Sequence, residues 1–218
     1  MLFSGRPLVV PWLAENVDAL LAAWFPGTEA GNAVADLLTG RFSPSGRTPI
    51  TWPRALGQVP IFFGQRPTGR PFNRDDHYTS RYIDVGNDPL YPFGHGLSYG
   101  CFRYAGLRAD RATVTQADTI ELSVELRNEG RMQAEETVFL FTRDPVASVA
   151  RPLLELRGFA KIRLAPGESG TVRLSLPAAD LAFLGVDLQP VFEPGKLEIL
   201  VGPSAERATL LSTEVMLV

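Results

Sequence analysis

The sequence predicts two unlike halves: a partial α/β sandwich over residues 1–100, with a long loop at 57–88, and an all-β sandwich over residues 101–218. Helical spacing of apolar residues and many prolines mark the first half. Alternating apolar and polar residues with regularly spaced turn signals mark the second half. Because 218 residues suffice for two ordinary domains, two domains joined near residue 100 account for the chain.

Two helices are expected in the first half. Apolar residues recur at the spacing of an amphipathic helix between Val17 and Trp24, and Pro26 would end that helix. A second helix is expected over residues 29–38, with Thr28 as its N-cap. Both helices would carry one apolar face toward a core.

Only short strands accompany these helices. Leu2–Phe3 and Leu8–Val10 are apolar runs, and residues 49–53 form a third candidate strand bracketed by prolines. These elements are too few to build helices around a complete sheet, so the half is expected to be the back part of a larger α/β domain. The loop 57–88 carries enough aromatic residues to be packed by its own side chains.

The second half changes to the period of β-strands. Apolar residues alternate with polar ones from Ile120 to Arg127, which predicts a half-buried strand. Turn signals separate this strand from further strand segments near 137–142, 159–164, 172–176, 197–201 and 209–215. Roughly seven short strands predict a two-sheet β-sandwich, and the lack of a Cys–Trp–Cys framework favours the fibronectin type III kind over the antibody kind.

Composition excludes several classes of function. The net charge is −3 and no run of basic residues forms a phosphate-binding stripe, so nucleic acid is not an expected partner. No apolar stretch approaches the roughly 20 residues that span a bilayer, so no membrane association is expected. The opening residues 1–10 are interpreted as a strand and not as a signal peptide. The single Cys101 leaves the compartment undetermined.

The stretch Asp88–Tyr99, DPLYPFGHGLSY, is expected to be a rigid connection between the halves. Its two prolines disfavour a helix, and its glycines allow backbone angles that other residues resist. Its three aromatic residues supply apolar area for packing. A stretch of this composition indicates a packed junction and not a flexible linker.

Several motifs, in order, resemble the C-terminal part of glycoside hydrolase family 3 enzymes, and of bacterial β-glucosidases in particular. These are AWFPGTEAGNAVADLLTGRFSPSGRTPITWPRALGQVP, TGRPFN, YTSRYID and LYPFGHGLSY. RNEG followed by EETVFLFTRDPVASVARPLLELRGFAKIRLAPGES is similar to the family's fibronectin-III-like domain. The resemblance covers essentially the whole chain.

The resemblance implies an enzyme made of a (β/α)₈ barrel, an α/β sandwich and a fibronectin-like domain. In such enzymes the barrel carries a nucleophilic aspartate in a Ser-Asp-Trp type motif, which this sequence lacks. In the bacterial subgroup the acid/base glutamate lies in the sandwich, upstream of the part that this chain resembles. Retaining glycosidases need both carboxyl groups, about 5–5.5 Å apart. The chain is therefore expected to be inactive on glycosides alone, and to need a barrel-bearing half or to form a homo-oligomer through residues 1–60.

Residues 96–100 offer an alternative chemistry, because Gly96-Leu97-Ser98-Tyr99-Gly100 is a literal G-x-S-x-G. In α/β-hydrolases this spacing exposes a nucleophilic serine on a strand-to-helix turn. A stand-alone carboxylesterase would use Ser98 with His77 as the base and Asp84 as the acid. No helix is expected after Ser98, and the family resemblance has threonine in place of Gly100, so an ordinary connector is the competing interpretation.

The long loop carries the candidate substrate-binding residues. Arg70, Asn73, Arg81 and Tyr82 combine planar hydrogen-bonding groups with an aromatic face, as sugar sites do. The resemblance implies that sandwich loops wall the site at the mouth of the barrel. A structural ion pair between Arg81 and Asp84 is the competing interpretation of this loop.

Metal ligation and a purely binding role are the remaining possibilities. Asp75, Asp76 and His77 combine ligand types, but three adjacent residues cannot easily face one ion, so no metal site is predicted. No cofactor is predicted either. A non-catalytic carbohydrate-binding or assembly module is the third hypothesis, beside the glycosidase part and the esterase.

Overall fold

The computed structural model describes all residues from 1 to 218, and its regular structure is concentrated in the second half. The first half contains two helices and one 3₁₀ turn, namely α1 (Pro11–Asn16), α2 (Ala30–Leu38) and Leu56–Gln58. The second half contains β1 (Phe102–Ala109), β2 (Thr113–Val114), β3 (Thr119–Asn128), β4 (Ala134–Arg143), β5 (Glu155–Leu164), β6 (Ser169–Pro177), β7 (Phe183–Leu184), β8 (Pro190–Val191), β9 (Gly195–Gly202) and β10 (Leu211–Leu217), with 3₁₀ turns at Ala178–Leu181 and Arg207–Thr209.

The strands form two sheets and a small hairpin. The first sheet has the order β1-β3-β6, the second has the order β2-β10-β9-β4-β5, and β7 pairs with β8. All neighbours are antiparallel except β10 and β2, which run parallel. Seven of the strands have seven or more residues. The predicted fold class, a partial α/β part followed by an all-β sandwich, is confirmed.

The core lies between the two sheets, and strand periodicity explains which residues enter it. In β3 the side chains of Ile120, Leu122, Val124 and Leu126 are at most 2% exposed. They alternate with polar residues that face solvent, as the period of two in a strand requires. These four residues belong to a continuous cluster of 18 buried apolar residues contributed by both sheets. The predicted half-buried strand is therefore confirmed.

The first half departs from the prediction at its first helix. The helix lies at α1 and not between Val17 and Trp24; Pro11 occupies its first position, where the missing N–H of proline is not needed. Trp24 has a φ of 52°, which a right-handed helix cannot contain, and its ring packs at 5.7 Å from that of Trp52. Helix α2 is confirmed, but its N-cap is Glu29 and not Thr28.

The predicted strands of the first half are reduced to isolated bridges. Of residues 49–53, only Trp52 pairs, with Tyr91 across an antiparallel bridge. The flanking prolines prevent a longer ladder because proline lacks a donor. Leu2–Phe3 contributes a single bridge at Leu2, and Leu8–Val10 forms no strand because it leads into α1.

The first half buries very little of its own surface. Its buried residues are Thr51, Trp52, Pro53, Gln58 and Gly94, so the first half has no extensive apolar core of its own. No helix combines the length and the apolar character that crossing a bilayer requires.

Candidate functional site

The junction Asp88–Tyr99 is packed against the outer face of the five-stranded sheet. The ring of Phe93 lies 4.8 Å from that of Phe63 and 5.3 Å from that of Phe139. Phe139 and Phe141 belong to a second buried cluster, and Phe93 packs against it. The carbonyl of Phe93 also accepts a 2.8 Å hydrogen bond from the amide of Ala205. These contacts give the junction a fixed position on the sheet.

Gly94 allows this close approach. Its φ is 82°, which favours glycine. A Cβ atom there would lie 2.9 Å from the ring of Phe139 and 2.9 Å from the Cα of Ser204. Any other residue would push the junction away from the sheet.

A buried ion pair ties the two halves together. Nη2 of Arg47 donates to both carboxylate oxygens of Glu136 in β4, each at 2.8 Å, and Nη1 donates to the carbonyl of Gly96 at 2.7 Å. The two side chains are 6% and 4% exposed. Because both charges are desolvated, each depends on the other for compensation.

Two titratable groups near this pair have shifted pKa values. Burial, with Arg47 nearby, lowers the pKa of His95, whose ring stacks on Tyr91 at 4.5 Å. Burial, with the charge of Glu136, raises the pKa of Tyr104 far above its ordinary range. Both shifts favour the neutral form of the side chain, so neither group places a second charge beside the pair at neutral pH.

Ser98 lies beside this pair, in a cleft of about 510 Å³ that also has Arg47, Tyr104 and Glu136 in its wall. The hydroxyl of Ser98 donates to the carbonyl of Gly100 at 3.3 Å and has no hydrogen bond to a histidine. The chain after it enters β1 and not a helix, so the strand-to-helix context of a G-x-S-x-G nucleophile is missing.

The structure also places the two residues that would have to assist Ser98. The side chain of His77 contacts Nη2 of Arg81 within the exposed loop. Asp84 is exposed and enters no ion pair. No hydrogen bond joins Ser98, His77 and Asp84.

Packing explains the unusual Gly100. A Cβ atom at this position would lie 2.6 Å from Cβ of Ala134 and 3.0 Å from the ring of Phe102. The glycine that completes the G-x-S-x-G pattern is therefore required by the close approach of β4 to the junction.

The loop that carries the candidate substrate-binding residues projects from the first half. Of residues 66–84, all except Thr79 are exposed, and none enters an ion pair. One face of the loop holds a cleft of about 770 Å³ lined by Arg70, Pro71, Phe72, Asn73, Asp76, Tyr78 and Thr79. The structure thus brings Arg70 and Asn73 together in one cleft with two aromatic side chains.

Arg81 and Tyr82 lie on the returning arm of the same loop, outside the lining of the cleft. Arg81 contacts His77, and no Arg81–Asp84 ion pair forms. The backbone amide of Tyr82 donates to Oδ1 of Asn87 at 3.1 Å. The guanidinium groups of this loop are therefore free of carboxylate partners.

The acidic residues of the loop make local turns. Oδ1 of Asp76 accepts a hydrogen bond from the amide of Tyr78 at 2.9 Å, and the amide of Asp75 donates to Oδ1 of Asn73 at 3.1 Å. The structure brings no three His, Cys, Asp or Glu side chains together in a way that could hold a metal ion.

One buried polar residue was not predicted from the sequence. Gln58 is 1% exposed, and its carboxamide bonds to the backbone at both ends of the long loop. A single glutamine between a glycine and a valine carries no recognisable signal in the sequence, because its partners are up to 30 residues away.

Comparison with known proteins gives the same two-part division. The model of the glycosyl hydrolase family 3 C-terminal domain matches residues 1–99. The model of the fibronectin type III-like domain matches residues 136–205.

The relatives are longer than this chain. A periplasmic beta-glucosidase of Salmonella typhimurium is 39% identical over 99% of the chain, which corresponds to 28% of that protein. A beta-xylosidase of Formosa agariphila is 38% identical over 94% of the chain and 28% of its own length. The chain therefore spans less than a third of these relatives.

A solved structure agrees over the full chain. The crystal structure of the beta-glucosidase from Listeria innocua in complex with glucose superimposes with a TM-score of 0.92 and 37% identity, covering 99% of this chain and 30% of that one. The chain thus combines a glycosyl hydrolase family 3 C-terminal domain over residues 1–99 with a fibronectin type III-like domain matched over residues 136–205, and it corresponds to the C-terminal portion of β-glucosidase- and β-xylosidase-like proteins.

Proposed function

We propose that this chain is the structural and substrate-walling part of a β-glucosidase-like glycoside hydrolase. The observation that carries the proposal is the agreement with the Listeria innocua β-glucosidase over 99% of this chain and only 30% of that enzyme. In this account the remaining part of such an enzyme supplies the barrel.

The chain alone is expected not to hydrolyse glycosides. Retaining glycosidases need a nucleophilic carboxylate and an acid/base carboxyl group about 5–5.5 Å apart. The family resemblance assigns both groups to parts of the enzyme outside the portion that this chain matches. Catalysis therefore requires a barrel-bearing part, in the same polypeptide or supplied separately.

The substrate-walling role is assigned to the loop 66–84. Arg70 and Asn73 share a cleft with Phe72 and Tyr78, and binding sites for small polar ligands combine apolar walls with a few placed polar groups. Because no loop arginine has a carboxylate partner within the chain, these donors are free to bond sugar hydroxyls. Arg81 and Tyr82 would contact substrate from the other arm of the loop.

The surface of residues 1–60 is assigned to contact with the barrel-bearing part. Large apolar side chains stay exposed there, including Trp12 at 67%, Phe25 at 83% and Leu38 at 70%. Apolar patches of this kind mark interaction surfaces. In isolation the chain is expected to cover them by forming a homo-oligomer or exchanging segments. Light scattering at high concentration tests this, and a monodisperse monomer would contradict it.

A chimera tests the proposed function. This chain replaces the matching C-terminal portion of the Listeria innocua β-glucosidase, and hydrolysis of an aryl β-glucoside is measured. We expect an active chimera whose KM rises several-fold in Arg70→Ala and Asn73→Ala while kcat changes less, because the loop binds substrate without reacting with it. Arg173→Ala, on an exposed position of β6, is the control. A folded but inactive chimera, or loop variants with unchanged KM, would count against the proposal.

A further inference from the structure

We propose that the side chains of Gln58 and Asn87 are positioning groups, which together fix the orientation of the loop that carries Arg70, Arg81 and Tyr82. The inference rests on the function proposed above for this loop in contacting substrate. Two carboxamides, one buried and one at the root of the loop, connect it to the buried part of the first half: the first holds the backbone on both sides of Asn87, and the second, the side chain of Asn87, holds the backbone on both sides of Arg81.

The first carboxamide joins the two ends of the loop. Oε1 of Gln58 accepts hydrogen bonds from the amides of Arg54 at 2.7 Å and Ala55 at 3.3 Å. Its Nε2 donates to the carbonyls of Gly86 at 2.8 Å and Asp88 at 3.1 Å. All four hydrogen-bonding positions of the side chain are thereby used. Since Gln58 is 1% exposed, water cannot replace any of these partners.

The second carboxamide lies between the two carbonyls that Gln58 holds. Nδ2 of Asn87 donates to the carbonyl of Ser80 at 2.8 Å, and its Oδ1 accepts from the amide of Tyr82 at 3.1 Å. These two backbone groups flank Arg81. The amide of Ser80 in turn donates to the carbonyl of Arg70 at 3.2 Å. These hydrogen bonds therefore reach each residue assigned to the wall of the site except Asn73.

At the other root of the loop, the amide of Leu153 donates to the carbonyl of Gln65 at 2.8 Å. On the arm that carries Arg81 and Tyr82, only the two bonds of the Asn87 carboxamide lead out of residues 66–84. The exposed segment 66–84 has no buried apolar side chain and no ion pair, and its other hydrogen bonds run within the segment or to Asn87. Because residues 66–84 have no core of their own, the orientation of this segment is set by the residues that connect it to the rest of the first half. The two carboxamides set that orientation because each bonds the backbone on both sides of a residue and so fixes position and orientation together.

Isosteric variants test these hydrogen bonds. Gln58→Glu retains the shape and the two accepted bonds, but a carboxylate cannot donate to the carbonyls of Gly86 and Asp88. Burial raises the pKa of such a carboxyl group, and protonation returns one donor. Asn87→Asp removes the donor to Ser80 in the same way. Gln116→Glu is the matched control, because Gln116 is exposed and its side chain has no hydrogen bond.

The measurement uses the 218-residue chain labelled with ¹⁵N. We expect backbone order parameters of Arg70, Arg81 and Tyr82 to fall from about 0.85 toward 0.6 or below in Gln58→Glu at pH 7.5. They should recover at pH 5.5, and Gln116→Glu should match the wild type at both pH values. A loss of order caused by disturbed packing around position 58, and not by the missing donor, would not be reversed by acid. Unchanged order parameters in both Gln58→Glu and Asn87→Asp would overturn the proposal.

A sugar titration separates this proposal from the proposed function. We expect cellobiose to shift the amide signals of Arg70 and Tyr82 in the wild type, with several-fold weaker binding in Asn87→Asp. If Gln58→Glu does not fold, Asn87→Asp decides the question, because its side chain makes only the two bonds at the loop. If cellobiose does not shift the amide signals of the wild type, but the order parameters of the loop still fall in the variants, the substrate role is refuted and the positioning role is supported.

Discussion

Removing the charge of Glu136 is the most informative perturbation of the junction. Glu136→Gln keeps the size of the side chain but leaves the guanidinium of Arg47, 6% exposed, without a counter-charge. Breaking a buried pair by removing one partner destabilises a protein by about 3–5 kcal/mol, whereas replacing both partners by apolar residues is often neutral. We therefore expect a loss of about 3–5 kcal/mol in Glu136→Gln, and recovery of most of it in the double variant Arg47→Met with Glu136→Leu.

Urea unfolding followed by two probes measures this loss. All three tryptophans, Trp12, Trp24 and Trp52, lie in the first half, so their fluorescence reports on that half. Far-ultraviolet circular dichroism reports mainly on the sandwich. Because Glu136 belongs to the sandwich and Arg47 to the first half, the fluorescence midpoint should fall at least as far as the dichroism midpoint. A loss below about 1 kcal/mol, or a double variant as unstable as Glu136→Gln, would refute the reasoning.

Three further predictions concern the same region. Gly100→Thr should lower the free energy of unfolding by about 1–3 kcal/mol, because the new side chain would collide with Ala134. Ala134→Gly in the same chain should restore part of this loss in urea unfolding. Equal stability of Gly100→Thr and the wild type would contradict the packing argument. Burial lowers the pKa of His95, so the unfolded state takes up the proton first and the free energy of unfolding should fall as the pH drops from 6.5 toward the lower pKa of the folded state. His95→Gln should weaken the pH dependence of urea unfolding between pH 7 and 5, and an unaltered dependence would count against this reasoning. Residues 101–218 produced alone should unfold cooperatively. Residues 1–100 alone should show no cooperative transition, because only five residues of this half are buried.

The sandwich could be predicted from sequence because its strands are local patterns. The alternation from Ile120 to Leu126 places every second side chain in the core whatever the partner strand is. The first helix could not be placed, because the spacing from Val17 to Trp24 is compatible with a helix while the left-handed backbone of Trp24 is not. That conformation depends on packing against Trp52, which is 28 residues away in the chain.

The junction and the loop were predicted in part. The composition of Asp88–Tyr99 indicated a packed connection, and Phe93 confirms it. Arg47 and Glu136 are 89 residues apart and carry no joint signal in one sequence. Gln58 was missed for the same reason. The hypothesis of a nucleophilic Ser98 rested only on the G-x-S-x-G spacing. The close approach of Gly100 to Ala134 explains the second glycine of that spacing by packing.

One measurement tests whether catalysis by this chain needs a barrel-bearing part. The measurement is hydrolysis of an aryl β-glucoside by the 218-residue chain, first alone and then with the barrel-bearing remainder of a family relative supplied as a separate polypeptide. We expect no turnover by the chain alone, and turnover above that of the remainder alone when the two are combined. Hydrolysis by the isolated chain, at a rate that survives repurification, would contradict this expectation.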